Sequence, residues 1–262
     1  MGVMHPWRAA LAAPCLLGLL LAGGCKEVQD IREELGWARQ REAPPPPPVV
    51  TLADRWVPAD TDVDALRQTQ WTARWWQWAA RFGADTGAPY RDPDGRHCAL
   101  NQEEGAVWFL AGTDGRSDAV RTCTVPAGKH LFVPLINWVE DDAGRSCGDK
   151  QAAVARLADH VNTGLVLLDG RPIGQLERMR VAAGTCFSMS DQSPGAATDG
   201  YWLMLKPLPP GKHQLAIAAA YREETRQSMQ NFRYELDVQA EAIADAGIDG
   251  VDGAGVDAAA IQ

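Results

Sequence analysis

"KHLFVPLINWV", residues 129–139, carries no polar face between Leu131 and Ile136. A strand with one solvated face alternates apolar and polar residues, so a run without alternation reads as a strand covered on both sides. "VWFLA", residues 107–111, reads the same way, and "TGLVLLDG" (163–170), "LERMRVAA" (176–183), "YWLMLKPL" (201–208), "HQLAIAAAY" (213–221) and "FRYELDVQ" (232–239) are further short apolar or alternating runs. Between them stand turn-forming clusters, "TDGRS", "VPAGK", "LDGRP" and "PLPPGK", whose Gly, Pro and Asp break regular structure. Many short strands separated in this way predict a mainly β fold: an antiparallel β-sandwich, immunoglobulin-like or jelly-roll, over residues 55–238.

Something must cover the second face of the central strands, and "WTARWWQWAARF", residues 71–82, is suited to it. Trp71, Trp75, Trp78 and Phe82 fall at i, i+4, i+7 and i+11, a single helical stripe, with Arg74, Gln77 and Arg81 off it. Thr61 and Asp64 form an expected capping box, and Gly83 an expected stop. The tryptophans are therefore read as a packing stripe that binds a long helix to the sandwich. Trp76, off the stripe, is the one candidate for an exposed aromatic. A second, short helix is expected over residues 150–162, with Val154, Leu157 and Val161 in register.

The ends read differently. Residues 1–24 combine Arg8 with an apolar run closing on Gly23 and Gly24, which predicts a secretory signal peptide. Residues 25–54 read as a tether: a short helix over 28–41, then Pro44 to Pro48, a polyproline spacer rising about 3.1 Å per residue. Residues 239–262 form an acidic Ala/Gly/Asp tail with too little apolar surface to offset its ordering entropy. Loss of Arg8 with the signal takes the formal charge from −9 to −10. Five acidic residues of the tail, from Glu241 to Asp257, account for half of that, so the domain is mildly acidic. Nucleic-acid binding, which needs a basic face, is not expected.

Six cysteines are present. Cys15 lies in the signal and Cys25 at its end, leaving Cys98, Cys123, Cys147 and Cys186, an even number for an oxidising compartment. Of the three pairings these allow, Cys98–Cys123 with Cys147–Cys186 is preferred. The first pair brackets one strand and turn and would close a loop worth about 3–4 kcal/mol. Zinc ligation lacks any Cys-x-x-Cys spacing, so no metal is expected.

No motif of nucleophilic or metal catalysis appears: no His-Glu-x-x-His, no Gly-x-Ser-x-Gly and no phosphate-cradling glycine loop. No catalytic residue and no cofactor is assigned. "WVEDDAGRSC" (138–147) clusters Glu140, Asp141 and Asp142, which reads first as a solvated loop and second as an acid/base or calcium-binding group. Asp199 and Gly200 read as the turn into "YWLMLKPL", and His213 as a core-edge residue sharing a face with Leu215 and Ile217. A polar site is sought first at Glu140, Asp142, Asp199 and His213.

Three resemblances add to this. "LAGGC", residues 21–25, resembles the lipobox of bacterial lipoproteins. That resemblance implies diacylglycerol on Cys25, removal of the signal and anchoring in a membrane. Lys26 in place of Asp implies the outer membrane, facing the periplasm or the surface. "LKPLPPGKHQLAIAAAY" followed by "NFRYELDV" resembles the closing hairpin of bacterial immunoglobulin-like modules. "WWQW", "CALNQEEGAVWFLAG", "RTCTVPAGKHLFVPLIN" and "PLPPGKH" together resemble a group of uncharacterised secreted bacterial proteins, which implies no mechanism. The expected function is that of a cell-envelope lipoprotein acting as a binding or structural module for an unknown protein or glycan ligand. The alternative is an envelope hydrolase or carbohydrate-active protein using an acidic pair.

Overall fold

A computed structural model describes residues 52–83, 87–223 and 226–240. The signal segment, Cys25, the proline tether and most of the acidic tail lie outside the described residues. What is described is mainly β: two five-stranded sheets and two helices, arranged as a sandwich and not as a closed barrel.

Sheet I has the order β1 (Trp56–Val57), β8 (Gly195–Leu205), β4 (His130–Glu140), β2 (Val107–Phe109), with β7 (Phe187–Ser188) also paired to β8. Sheet II runs β3 (Ala119–Val125), β10 (Arg226–Val238), β9 (Gly211–Glu223), β5 (Val161–Leu168), β6 (Arg171–Pro172). The expected closing hairpin is β9–β10, paired antiparallel from Gly211–Val238 to Glu223–Arg226. Two pairs depart from the antiparallel expectation: β2 runs parallel to β4, and β3 parallel to β10. Both lie at sheet edges. Their strands are joined by the long 110–118 crossing from sheet I to sheet II, a connection that no hairpin turn could make.

Between the sheets lies one core, built from Leu131, Val133, Leu203 and Leu205 on sheet I and Leu215, Ile217, Phe232, Tyr234 and Leu236 on sheet II. The other face of sheet I carries a second core of Val107, Phe109, Phe132, Trp202 and Met204, covered by α1 (Gln68–Ala80). Sheet I is thus the middle layer of three, which is why β4 shows no polar face. A bulge at Leu135 shifts the β4–β8 register between Pro134 and Ile136. The bulged strand presses onto Gly200, where a Cβ would lie 2.5 Å from the Ile136 carbonyl oxygen.

Trp71, Trp75 and Trp78 are each 1% exposed, and Phe82 packs against their cluster. Burying a tryptophan removes about 150–250 Å² from water, roughly 4–6 kcal/mol each as an upper bound. Each indole N–H also finds an acceptor on a different segment: Trp71 on Val63 O (3.1 Å), Trp75 on Leu110 O (2.8 Å), Trp78 on Leu100 O (3.0 Å) and Trp76 on Thr198 Oγ1 (2.9 Å). The four rings satisfy their polar handles by tying four stretches of chain to one helix.

The helix starts later than expected. Thr61 and Asp64 do not cap it; Val63 and Leu66 exchange two backbone hydrogen bonds across a tight turn whose central residues, Asp64 and Ala65, have φ of 52° and 58°. That primed turn takes the residues that would have formed the first helical turn. The Gln70 side chain accepts the Arg67 N–H instead (3.1 Å), and buried Gln68 donates to the carbonyls of Val57 and Pro58.

The second helix, α2 (Cys147–Asp159), is capped by Ser146, whose hydroxyl accepts the Asp149 N–H (3.2 Å). It carries the chain from β4 in sheet I to β5 in sheet II. Val161, expected on the helix, opens β5. The run 176–183 is not a strand. It forms a 3-10 turn at Leu176–Arg178 and then an extended edge that bonds β8 through Val181 N to Gly200 O and Ala183 N to Thr198 O, with a single bridge at Arg180–Tyr201. The disulfides are Cys98–Cys123 (S–S 2.08 Å) and Cys147–Cys186 (2.05 Å), the preferred pairing.

Candidate functional site

The four polar candidates do not converge. Glu140 and Asp142 build their own loop: Glu140 accepts the Asp142 N–H (3.1 Å) and pairs with Arg145 (2.9 Å), while Asp142 accepts the Gly144 N–H (2.9 Å). This is the solvated-loop reading. Asp199 is not in a turn; it stands mid-strand in β8, facing into the sandwich with its side chain 4% exposed. Arg180 holds it at 2.8 Å and also reaches Asp159 (2.5 Å) and the Ala155 carbonyl (3.2 Å) on α2. Those partners, Asp199 above all, hold the Arg180 guanidinium's pKa above its ordinary value. Glu140 and Asp199 do share a face of neighbouring strands, since Glu140 lies opposite Ala197 and Trp138 opposite Asp199. Each carboxylate is nevertheless bound to its own arginine.

His213 sits at the opposite end of the sandwich, at the start of β9. Its Nδ1 lies 2.8 Å from Asp169 Oδ2 and its Nε2 2.9 Å from Pro209 O. Both ring nitrogens are engaged, so neither is left to take a proton from a nucleophile. The pair is a clamp: Asp169 Oδ1 also accepts the Gln214 N–H (2.8 Å) and fixes the β5–β6 turn to β9. Among the described residues no group of three or more His, Cys, Asp or Glu is placed to hold a metal ion.

A concave site exists elsewhere, and Trp76 is part of it. β2 covers the edge of β4 only across His130–Phe132. Beyond it, between Ile136–Val139 of β4, one flank of α1, the 112–114 crossing and Ser228–Gln230 of β10, opens a cleft of about 280 Å³. Three partly buried rings line it: Trp76, Tyr90 and Trp138. Trp76 stands edge-on to Trp75 (5.0 Å, 88°) and 6.5 Å from Tyr90 at 64°. Trp138 packs edge-on against Tyr221 (5.3 Å, 81°). A short relay couples the first and third: Trp76 Nε1 donates to Thr198 Oγ1 (2.9 Å), and that hydroxyl donates to the Trp138 carbonyl (2.6 Å).

The polar groups of the cleft are few and mostly engaged. Gln230 is buried, and its Oε1 accepts the Thr113 N–H (3.0 Å). Asp114 pairs with Arg91 (3.3 Å) and Arg116 (3.8 Å). Asn137 is the exception: its Nδ2 is shielded from solvent and has no hydrogen-bond partner. A buried donor left unpaired costs about 1–3 kcal/mol.

The floor is held from beneath by Arg121, which is 1% exposed. Its donors reach the carbonyls of Asp92 (2.6 Å), Ala111 (2.8 Å) and Gly112 (2.8 Å), and the Tyr234 hydroxyl (3.1 Å). Tyr234 in turn donates to Ala111 O (2.9 Å) and accepts from Ala111 N (3.1 Å); burial pushes its phenol pKa up. Sequence reasoning passed over Tyr90, Asp114, Asn137 and Gln230 because they are far apart in the chain and fit no motif. Asn137 left one signal, an amide that interrupts the apolar run of β4 between Ile136 and Trp138. No protein-family model matches the chain, and no curated protein matches it either.

Proposed function

We propose that this chain is an exported lipoprotein of the cell envelope, acylated at Cys25 and anchored in the outer membrane, whose sandwich acts as a binding module through the cleft beside Trp76. The export and acylation rest on the "LAGGC" junction and the residues before it; two disulfides accord with an oxidising compartment. The binding role rests on one observation: a concave, aromatic-lined cleft on rigid elements, with few polar groups and one of them unpaired. Ligand sites have this character. The acid-pair hydrolase has no such support: Glu140 and Asp199 are each held by their own arginine, Asp142 is held by the Gly144 N–H, and none of the three lines the cleft.

Two measurements test the proposal. Cells fed an alkynyl fatty acid should label the wild-type chain, which should sediment with outer membranes, and Cys25→Ala should lose both properties. A photo-crosslinking amino acid at Ser228, beside the cleft, should give a discrete adduct in cells, and one at Asp237 should not. Labelling of the Cys25→Ala chain would overturn the anchor; absence of any cleft adduct would overturn the binding role.

A further inference from the structure

We infer that the cleft binds a saccharide, seating one uncharged sugar ring between Trp76, Tyr90 and Trp138 with Asn137 Nδ2 as donor to a ring substituent. This rests on the binding-module reading above and narrows it to a ligand class. Four features carry it. First, the rings are immobilised before any ligand arrives. The Trp76 ring is fixed by Trp75 and by its hydrogen bond to Thr198, and the Trp138 ring by its edge-on contact with Tyr221, so little side-chain entropy is lost on stacking. A sugar ring presents C–H groups on its faces and hydroxyls at its rim, which suits apolar ring walls with a donor between them.

Second, the unpaired donor asks for an oxygen acceptor. Asn137 Nδ2 is out of water's reach in the unliganded protein, so a ligand must draw the amide toward itself: a purely apolar ligand would leave the donor unpaired, whereas a hydroxyl or acetamido oxygen would satisfy it once the side chain turns. Third, the charge balance excludes a cation. Asp114 is the only carboxylate or cationic side chain among the described residues lining the cleft, and two arginines already meet it. Arg91 also lies over the Tyr90 ring, 6.0 Å from its centroid, on a face that a ligand cation would need. Fourth, the cleft of about 280 Å³ adjoins a second depression of about 490 Å³, which shares Ser228 and is bordered by Asn162, Thr163, Gln227 and Arg116. The first suits one ring, and the hydrogen-bonding side chains of the second suit the next units of a chain.

The test uses the full chain purified in detergent micelles, on an array of neutral oligosaccharides (N-acetylglucosamine oligomers, glucans, mannans) with sulfated chains as charged controls. At least one neutral oligosaccharide should be retained. Asn137→Ala and Tyr90→Ala should each weaken it by tenfold or more, and Glu140→Gln should not. Asn137→Ala should melt no lower than wild type, because the side-chain amide it loses has no partner in the unliganded protein. A lower melting temperature would make Asn137 structural and remove it from the proposal. An empty array, retention of sulfated chains alone, or neutral binding that both cleft variants leave intact would overturn the saccharide. If the crosslinker at Ser228 still yields an adduct in that event, the binding module stands with another ligand; if neither appears, both readings fall.

Discussion

Arg121 Nη1 lies 3.1 Å from the Tyr234 hydroxyl, and the two buried side chains together hold the backbone of Ala111 and Gly112. Neither half of the pair does this alone: Arg121 supplies the donors, and Tyr234 both donates to and accepts from Ala111. The crossing they fix carries Gly112, Thr113 and Asp114 into the cleft. Tyr234→Phe should cost about 1–3 kcal/mol, since it strands the buried Ala111 N–H. At about 2–4 °C per kcal/mol for a domain of this size, thermal melts resolve that loss. Arg121→Met should cost more, because it orphans the carbonyls of Asp92 and Gly112, whereas Ala111 O keeps the Tyr234 hydroxyl. A neutral Tyr234→Phe would mean that the crossing is held by other means.

Trp75 and Trp76 are neighbours with different tasks. Trp75 is 1% exposed, touches Trp76, Trp78 and Trp202, and bonds Leu110 O. Trp75→Ala should lower stability by about 3–5 kcal/mol, read from denaturant midpoints. Trp76→Ala should cost less than half as much while abolishing ligand retention. Equal losses for the two would place Trp76 in the core and remove it from the site.

The disulfides should differ in accessibility. Cys123 is 1% exposed, while Cys147 is exposed at the start of α2. Mild reductant in the native state should therefore open Cys147–Cys186 first, seen by mass after thiol alkylation. By chain entropy the bridges, separated by 25 and 39 residues, contribute about 3.5 and 4 kcal/mol. Cys98→Ala/Cys123→Ala should accordingly lower the melting temperature by roughly 7–14 °C.

Burial depresses the pKa of His130, whose Nδ1 has no partner. The folded chain thus prefers the neutral ring, and the unfolded chain protonates first as pH falls. This contribution to stability is complete above the ordinary histidine value of about 6.5 and declines as pH drops below it toward the depressed folded value. Melting temperature should fall between about pH 7 and about pH 5, and His130→Gln should flatten that fall. An unchanged slope in the variant would assign it to other groups.

Asp199 and Glu140 separate a buried carboxylate from a peripheral one. Asp199→Ala leaves Arg180 without its main partner and should destabilise by about 1–3 kcal/mol. Glu140→Gln, in a partly exposed loop pair, should stay within about 0.5 kcal/mol. A large loss at Glu140 in ligand retention would restore the acidic loop as a site.

The candidate site was far less legible than the fold. Trp76 was singled out because it falls off the helical stripe, and it does reach the cleft. Glu140, Asp142, Asp199 and His213 were singled out because charged or titratable residues draw attention. Each proved to be satisfied by a partner that spacing does not reveal: Arg145, the Gly144 N–H, Arg180 and Asp169. Asn137 drew none, since its importance lies in a partner that is missing, and a missing partner appears only when the surroundings are in place.

Sequence alone determined what is local or periodic: the helical stripe of Trp71, Trp75 and Trp78, the two-sided burial of β4, the turns and the β9–β10 hairpin. Backbone geometry and apolar periodicity act over a few residues, so they are written in order along the chain. Tertiary structure alone decided the parallel edge pairs, the late start of α1 at the Val63–Leu66 turn, and the cleft itself. Tyr90, Asn137 and Gln230 meet because the 110–118 crossing is pinned by Arg121, and that contact spans layers of the fold. Such a contact depends on which surfaces face each other once the cores have closed, and no local spacing encodes it.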